Sequence, residues 1–251
     1  MTDRMKHRRI RGRIRYTSKK PDMMGQVRGD EIFNITHHSD GKMTVRAHCE
    51  IHEPDPTVMR DIVYSTDAHF NPMDCHVRLT VGDEFMGTGW FKFNLDENRS
   101  GTIECESYGP TIGRLSQRLD TEGPFDGFGT HPIIGDAQMC RVIDRSNGPT
   151  RRSVRVFLPS PDHRGATPPI TSEVNIGLEY VGDETVTVDA GTFDCFHLRY
   201  GDDEGPVIGG TQHPSYDMWV TKDDFIFVQG GVGGYMATWY ELIELDHPTI
   251  G

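Results

Sequence analysis

"EIFNITHHSDGKMTVRAHCEIHE", residues 31–53, decides the class of fold. Asp40-Gly41 stands between two alternating runs, and this dipeptide suits a tight hairpin whose central positions need positive φ. In the second run Met43, Val45, Ala47, Cys49 and Ile51 share one face, while Thr44, Arg46, His48, Glu50 and His52 share the other. That is the period of a half-buried strand. The same grammar continues through "RDIVYSTDA", "DCHVRLTV", "FMGTGWFKFN" and "GTIECES", separated by "HFNPM", "GDE" and "LDENRSG", so residues 31–107 read as a meander.

A second strand-rich region starts near Arg151 and runs through "RRSVRVFLPS", "SEVNIGLEYVGDETVTVDAGTFDCFHLRYG", "YDMWVTKDDFIFVQGG" and "YMATWYELIEL". The string Val-Gly-Asp-Glu occurs at 81–84 and at 181–184 and reads as a turn in both places, from shared turn chemistry rather than duplication. Between the two regions, residues 109–150 form an irregular segment with the one good helix pattern. From Asp136 onward Met139, Cys140, Val142 and Ile143 lie on one side, and Asn147-Gly148-Pro149 supplies a stop. Asp136 is therefore read as the helix N-cap, where free N–H groups would lower its pKa and make it a poor base.

Length and composition agree with this outline. The 251 residues are enough for a sizeable core, and 28 Gly and 15 Pro spread along the chain imply many turns and no linker. The expected fold is mainly β, a single domain over 1–251: an antiparallel meander of about ten strands forming a curved sheet or lipocalin-like barrel, with one short helix.

Charge is uneven. Residues 1–20 carry a net +8 against −12 for the whole chain, so the remainder carries −20. Such an acidic body repels phosphate backbones and anionic membranes, which argues against nucleic-acid and membrane partners. Arg9, Arg11, Arg13 and Arg15 alternate with Ile10, Gly12, Ile14 and Tyr16, the pattern of an edge or surface strand whose arginines pair with the acidic body or across a homodimer. No signal-type apolar stretch follows these charges, and the expected location is the cytoplasm. Cys49, Cys75, Cys105, Cys140 and Cys195 are far apart and form no C-x-x-C pair, so they read as reduced, buried thiols.

The C-terminal run "VTVDAGTFDCFHLRY", "YDMWVTKDDFIFVQGG" and "YELIEL" resembles the ending of several uncharacterised bacterial β-rich families: a Gly-Thr-Phe turn, a strand, a strand opened by Trp, a polar turn and a last strand ending Glu-Leu. The resemblance covers about a quarter of the chain. It implies a half-barrel of lipocalin or lipoprotein-carrier kind and transfers no catalytic residue.

The sequence holds no H-E-x-x-H, P-loop, dinucleotide fingerprint or nucleophile elbow, and "GGVGG" at 230–234 reads as a turn or bulge. No organic cofactor or metal is therefore expected, and His48, Glu50 and His52 read as a solvated strand face. What remains is a rhyme: "GTHP" and "GTQHP" each place a histidine, His131 and His213, before a proline that excludes helical backbone and holds it extended. Loop geometry alone explains this as well as a site does. Tyr216 and Asp217 follow His213 at the start of a strand, with Asp217 and Trp219 on one face and Tyr216 on the other.

His131, His213, Asp217 and Tyr216 are the candidate catalytic groups. Tyr64, His69, Trp90, His197, Trp219 and Tyr235 are candidate ligand contacts, although His197 also fits a satisfied core histidine. Two functions lead, with metal-dependent chemistry through the clustered histidines kept as a third. One is a cofactor-independent lyase or isomerase, less readily a hydrolase, moving protons on a hydrophobic, aromatic small molecule. The other is a non-catalytic binding protein of the same fold.

Overall fold

The computed structural model describes residues 7–162, 164–201, 207–208, 211–212 and 214–247. Strands β1 (Arg8–Ser18), β2 (Val27–His37), β3 (Met43–Ile51), β4 (Val58–Thr66), β5 (Pro72–Val81), β6 (Glu84–Leu95), β7 (Gly101–Gly109) and β8 (Gly113–Asp120) form an antiparallel meander in chain order. The short β9 (Gly127–Phe128) leads to helix α1 (Ile133–Met139) and a 3-10 turn (Cys140–Val142). Then come β10 (Thr150–Leu158), β11 (Ser172–Val188), β12 (Gly191–Tyr200), β13 (Val207–Ile208), β14 (Thr211–Gln212), β15 (Tyr216–Thr221), β16 (Phe227–Val232) and β17 (Thr238–Asp246).

Fifteen of these strands make one curved sheet, in the order β8-β7-β6-β5-β4-β3-β2-β1-β17-β16-β15-β12-β11-β10-β9, and β13 pairs with β14 separately. The end strands β8 and β9 do not pair with each other, so the sheet is an open half-barrel. The expected β fold with one short helix is what the chain adopts.

Several local expectations need correction. β1 is not an edge strand: it pairs with β2 on one side and β17 on the other, joining the two halves. Its face of Ile10, Gly12, Ile14 and Tyr16 is buried, and Phe33 occupies the space a side chain at Gly12 would need. Of the four alternating arginines, Arg13 pairs within the chain with Asp30 and Arg15 with Asp189 at 3.4 Å, while Arg8, on the other parity, pairs with Asp224 at 2.7 Å. The hairpin at Asp40-Gly41 turns through five residues, 38–42, with positive φ at Gly41 alone. Val-Gly-Asp-Glu is a turn at 81–84, where Gly82 and Asp83 have φ of 57° and 66°, but at 181–184 it lies inside β11 as a bulge. The partner β12 continues past it, and ladder hydrogen bonds outweigh turn propensity. Residues 109–150 are less irregular than expected, because they contain β8 and β9.

The concave side of the sheet is the core. Phe33, Ile35, Val45, Ile62, Phe91, Leu198, Met218 and Leu242 point into it and are buried. Helix α1 plugs this concavity, with Ile133, Ile134, Gly135, Ala137 and Gln138 all buried, as suits a helix surrounded by apolar walls. Residues 159–162 and 164–171, between β10 and β11, reach over the concavity to the other half. The Ser107 hydroxyl donates to Pro169 O at 2.5 Å, and Thr171 N donates to Gln117 Oε1 at 2.9 Å. No helix among the described residues is long and apolar enough to cross a membrane.

Candidate functional site

Between α1 and the concave wall lies a cavity of about 140 Å³. Its apolar lining includes Ile133, Val156, Val174 and Ile176, and four tyrosines, Tyr16, Tyr200, Tyr216 and Tyr240, form one side. These rings pack edge to face or stacked, with centroids 5.0 Å apart for Tyr16 and Tyr240, 5.8 Å for Tyr216 and Tyr240, and 6.2 Å for Tyr200 and Tyr216. The polar lining is Arg28, Arg60, Arg164, His131 and Asp136.

Helix α1 is held by a residue far away in sequence. The Glu31 carboxylate on β2 accepts hydrogen bonds from Ile133 N at 2.7 Å, Ile134 N at 3.0 Å and the Tyr16 hydroxyl at 2.7 Å. Two orphan donors of the first turn are thereby satisfied without a local cap. Burial pushes the Glu31 carboxyl up from its usual 4.5 to about 7, against the opposing pull of those hydrogen bonds and of Arg60.

Asp136 is accordingly not the cap. The helix starts at Ile133, Pro132 occupies the N-cap position with no side-chain cap, and Asp136 sits within the first turn facing the cavity. Burial, reinforced by Glu31, holds its carboxyl pKa well above the usual carboxylate range. The expected lowering is reversed because desolvation acts where capping hydrogen bonds were assumed. The helical pattern also ends earlier than 147, at the 3-10 turn.

His131 lines the cavity beside Asp136, but with φ of 71°, in the left-handed region rather than extended. The chain reverses there so that Pro132 O can accept from Gly135 N at 2.9 Å and start the helix. Such backbone costs about 1–2 kcal/mol for a residue with a side chain. Tyr216 also lines the cavity, buried, and its hydroxyl has no hydrogen-bond partner among the described residues. Asp217, next in the chain, faces outward and is separated from Tyr216 and His131 by the sheet. His213 lies outside the described residues. The proposed His131, His213, Tyr216 and Asp217 group is therefore not one site: His131 and Tyr216 share the cavity, and Asp217 does not.

The candidate ligand contacts are scattered. Tyr64 and His69 line a separate hollow with Arg99 and Arg141. Trp90 and Tyr235 are exposed. His197 and Trp219 stack at 4.2 Å on the convex face, where His197 Nε2 meets Asp217 Oδ1 at 2.8 Å and Nδ1 meets Glu184 Oε1 at 3.1 Å. Trp219 donates to Glu184 at 2.9 Å, and Arg199 donates to Asp217 at 3.0 Å. His48 likewise meets Asp61 at 2.8 Å and Glu50 at 3.1 Å, and among the described residues no cluster is arranged to hold a metal. All five cysteines are free and buried.

Sequence reasoning missed Glu31, Arg60, Arg28 and Arg164. A signal existed for the first two. Glu31 shares the register of Phe33 and Ile35, and Arg60 that of Val58, Ile62 and Tyr64, so each is a charge on an apolar face. A charge placed so is expected to be paired or functional.

No family model matches the sequence, and no curated protein matches it. Among solved structures, a β-barrel-like protein of domain of unknown function DUF1849 from Brucella abortus superposes over 97% of this chain and 98% of its own, with a TM-score of 0.60 at 12% identity. A protein assigned as exported, with a YmcC-like fold, from Bacteroides fragilis covers 96% and 95% at 10% identity with a TM-score of only 0.30. One assigned as a lipoprotein from Parabacteroides distasonis covers 94% of each chain at 10% identity with 0.31. The resemblance to uncharacterised bacterial β-rich families thus holds at the level of fold: this chain is similar to a β-barrel-like protein over nearly its whole length.

Proposed function

We propose that this chain binds a small hydrophobic molecule in the cavity between α1 and the concave wall. The observation that carries this reading is polar groups facing an apolar space: the buried Tyr216 hydroxyl has no hydrogen-bond partner among the described residues, and the Asp136 carboxyl faces the same cavity. Leaving such a group unsatisfied costs about 1–3 kcal/mol, and a ligand that completes them recovers that cost on binding. An apolar lining with a few convergent polar groups is the usual chemistry of a small-molecule site. The test is calorimetric or ligand-observed NMR titration with single-ring and short-chain compounds, repeated on Ile176→Phe to fill the space. Binding that disappears in the variant supports the cavity. No binding at all, or binding indifferent to the substitution, refutes it.

Proton transfer is a second reading, favoured by one arrangement: Asp136, whose carboxyl pKa burial raises, lines the cavity with His131 and Tyr216. In this reading Asp136 donates a proton to the bound molecule, as a carboxyl with raised pKa does, and the chain is a lyase or isomerase without a cofactor. Conversion of a bound compound by the native chain and not by Asp136→Asn, with binding retained, is the expected result. Equal conversion by both removes Asp136 from the chemistry.

A further inference from the structure

The cavity is basic at one end, and this end indicates which class of molecule it takes. Arg60 on β4 is only 1% exposed and points inward among Val58, Ile62 and Tyr64. Its donors reach Arg164 O at 2.9 Å, Gly165 O at 2.6 Å and Cys49 Sγ at 3.8 Å. These are neutral acceptors, and among the described residues no carboxylate forms an ion pair with Arg60. A guanidinium has five N–H donors, and a buried charge without an opposite charge is costly. The acids that share the interior, Glu31 and Asp136, are both pushed toward their neutral forms by burial and are poor counter-ions.

Other nitrogen-bearing side chains converge on the same end. Gly165 has φ of 61°, and a Cβ placed there would overlap the Arg60 guanidinium and come within 3.0 Å of His131 Cδ2, so the guanidinium and the imidazole flank one point. Arg164 donates to Pro56 O at 2.7 Å and to Pro54 O, its Nε is buried with no hydrogen bond among the described residues, and Arg28 and Arg60 disfavour its charge while Asp162 and Asp55 favour it. Arg28 has Glu53 beside its Nε at 4.0 Å. The rest of the lining includes the apolar side chains of Val156, Val174 and Ile176, on the neighbouring strands β10 and β11. An apolar cavity of about 150 Å³ holds one benzene ring, close to the size found here.

Resting on the reading that the cavity binds a ligand, we infer that the ligand is a small organic acid, an aromatic or short-chain carboxylate, with its apolar part against Val156 and Ile176 and its carboxylate toward Arg60, Arg164 and His131. The carboxylate supplies the negative charge that Arg60 lacks. The experiment is titration of the full chain with benzoate and hexanoate against benzyl alcohol and hexanol, which match them in size without charge. The acids should bind about tenfold or more tightly than the alcohols, as charge-assisted hydrogen bonds imply. That preference should fall to about twofold or less in Arg60→Met, while the alcohols keep their affinity; Arg164→Gln, at a half-buried position, shows the same trend if the first variant does not fold. Alcohols binding as well as acids, a preference that survives both substitutions, or phenyl phosphate displacing benzoate overturns the carboxylate assignment and leaves the cavity reading standing. If neither acids nor alcohols bind, the cavity reading itself falls.

Discussion

Tyr216 and Asp217 are neighbours in β15, yet they belong to opposite environments. On the convex face Asp217, His197, Arg199, Glu184 and Trp219 form a closed network in which both imidazole nitrogens meet carboxylates. On the concave face the buried Tyr216 hydroxyl finds no hydrogen-bond partner among the described residues, and the Asp136 carboxyl beside it faces the cavity. The convex cluster has the residue types of an acid–base site and the bonding of a structural one. The concave group has fewer such residues, but the Tyr216 hydroxyl has hydrogen-bonding capacity left open among the described residues. Open capacity in an apolar enclosure, more than residue type, separates a candidate site from a solvated ion-pair network.

The comparison breaks if the inner polar groups prove no more consequential than the outer ones. The largest effect should come from Glu31→Ala, which strands the N–H groups of Ile133 and Ile134 and the Tyr16 hydroxyl in a dry interior. A loss of about 4 kcal/mol is expected from three buried groups at roughly 1–3 kcal/mol each, read from urea unfolding. A loss near zero would show that α1 is held by packing alone.

The next effect is in pH. Glu31 holds its proton to about 7 in the folded chain and near 4.5 when unfolded, so between these values the folded state binds more protons. Its contribution is therefore fully present below about 4.5 and is withdrawn as pH rises through 7, by roughly 3 kcal/mol. Depressed carboxyls such as Asp224 and Glu173 act in the opposite direction, so the informative quantity is the native chain minus Glu31→Gln. That difference should decline from pH 5 to pH 8, and a flat difference would mean that Glu31 is ionised throughout.

Smaller changes sharpen the contrast. Tyr200→Phe removes a hydroxyl that donates to Asp136 O at 2.9 Å and should cost about 1 kcal/mol. Tyr216→Phe removes a hydroxyl with no such bond, and its stability should stay within about 0.5 kcal/mol of the native value or rise. Outside, Asp217→Asn should cost at most about 0.5–1 kcal/mol and lose part of even that in high salt, because Asp217 and Arg199 are partly exposed and screened and asparagine keeps an oxygen acceptor for the buried His197. A convex substitution that outweighed Glu31→Ala would invert the comparison.

Much of this molecule follows from local pattern alone. Alternation along Met43 to Ile51 places each side chain on its face, and the same period separates Tyr216 from Asp217 without any knowledge of the sheet. It also marks Glu31 and Arg60 as charges on apolar faces, although not what they meet. The Val-Gly-Asp-Glu string shows the limit, being a turn where the chain folds back and a bulge where β12 offers further pairing. Only the tertiary structure decided the rest. Curving the sheet over α1 brings Glu31 to helix residues 102 positions away and Arg60 to a carbonyl 105 positions away. Enclosure then removes water, and desolvation raises the pKa of Asp136, which the sequence reads as a low-pKa cap, where it faces the cavity. Periodicity is a property of neighbours in the chain, whereas desolvation and charge pairing depend on what the fold brings together from afar.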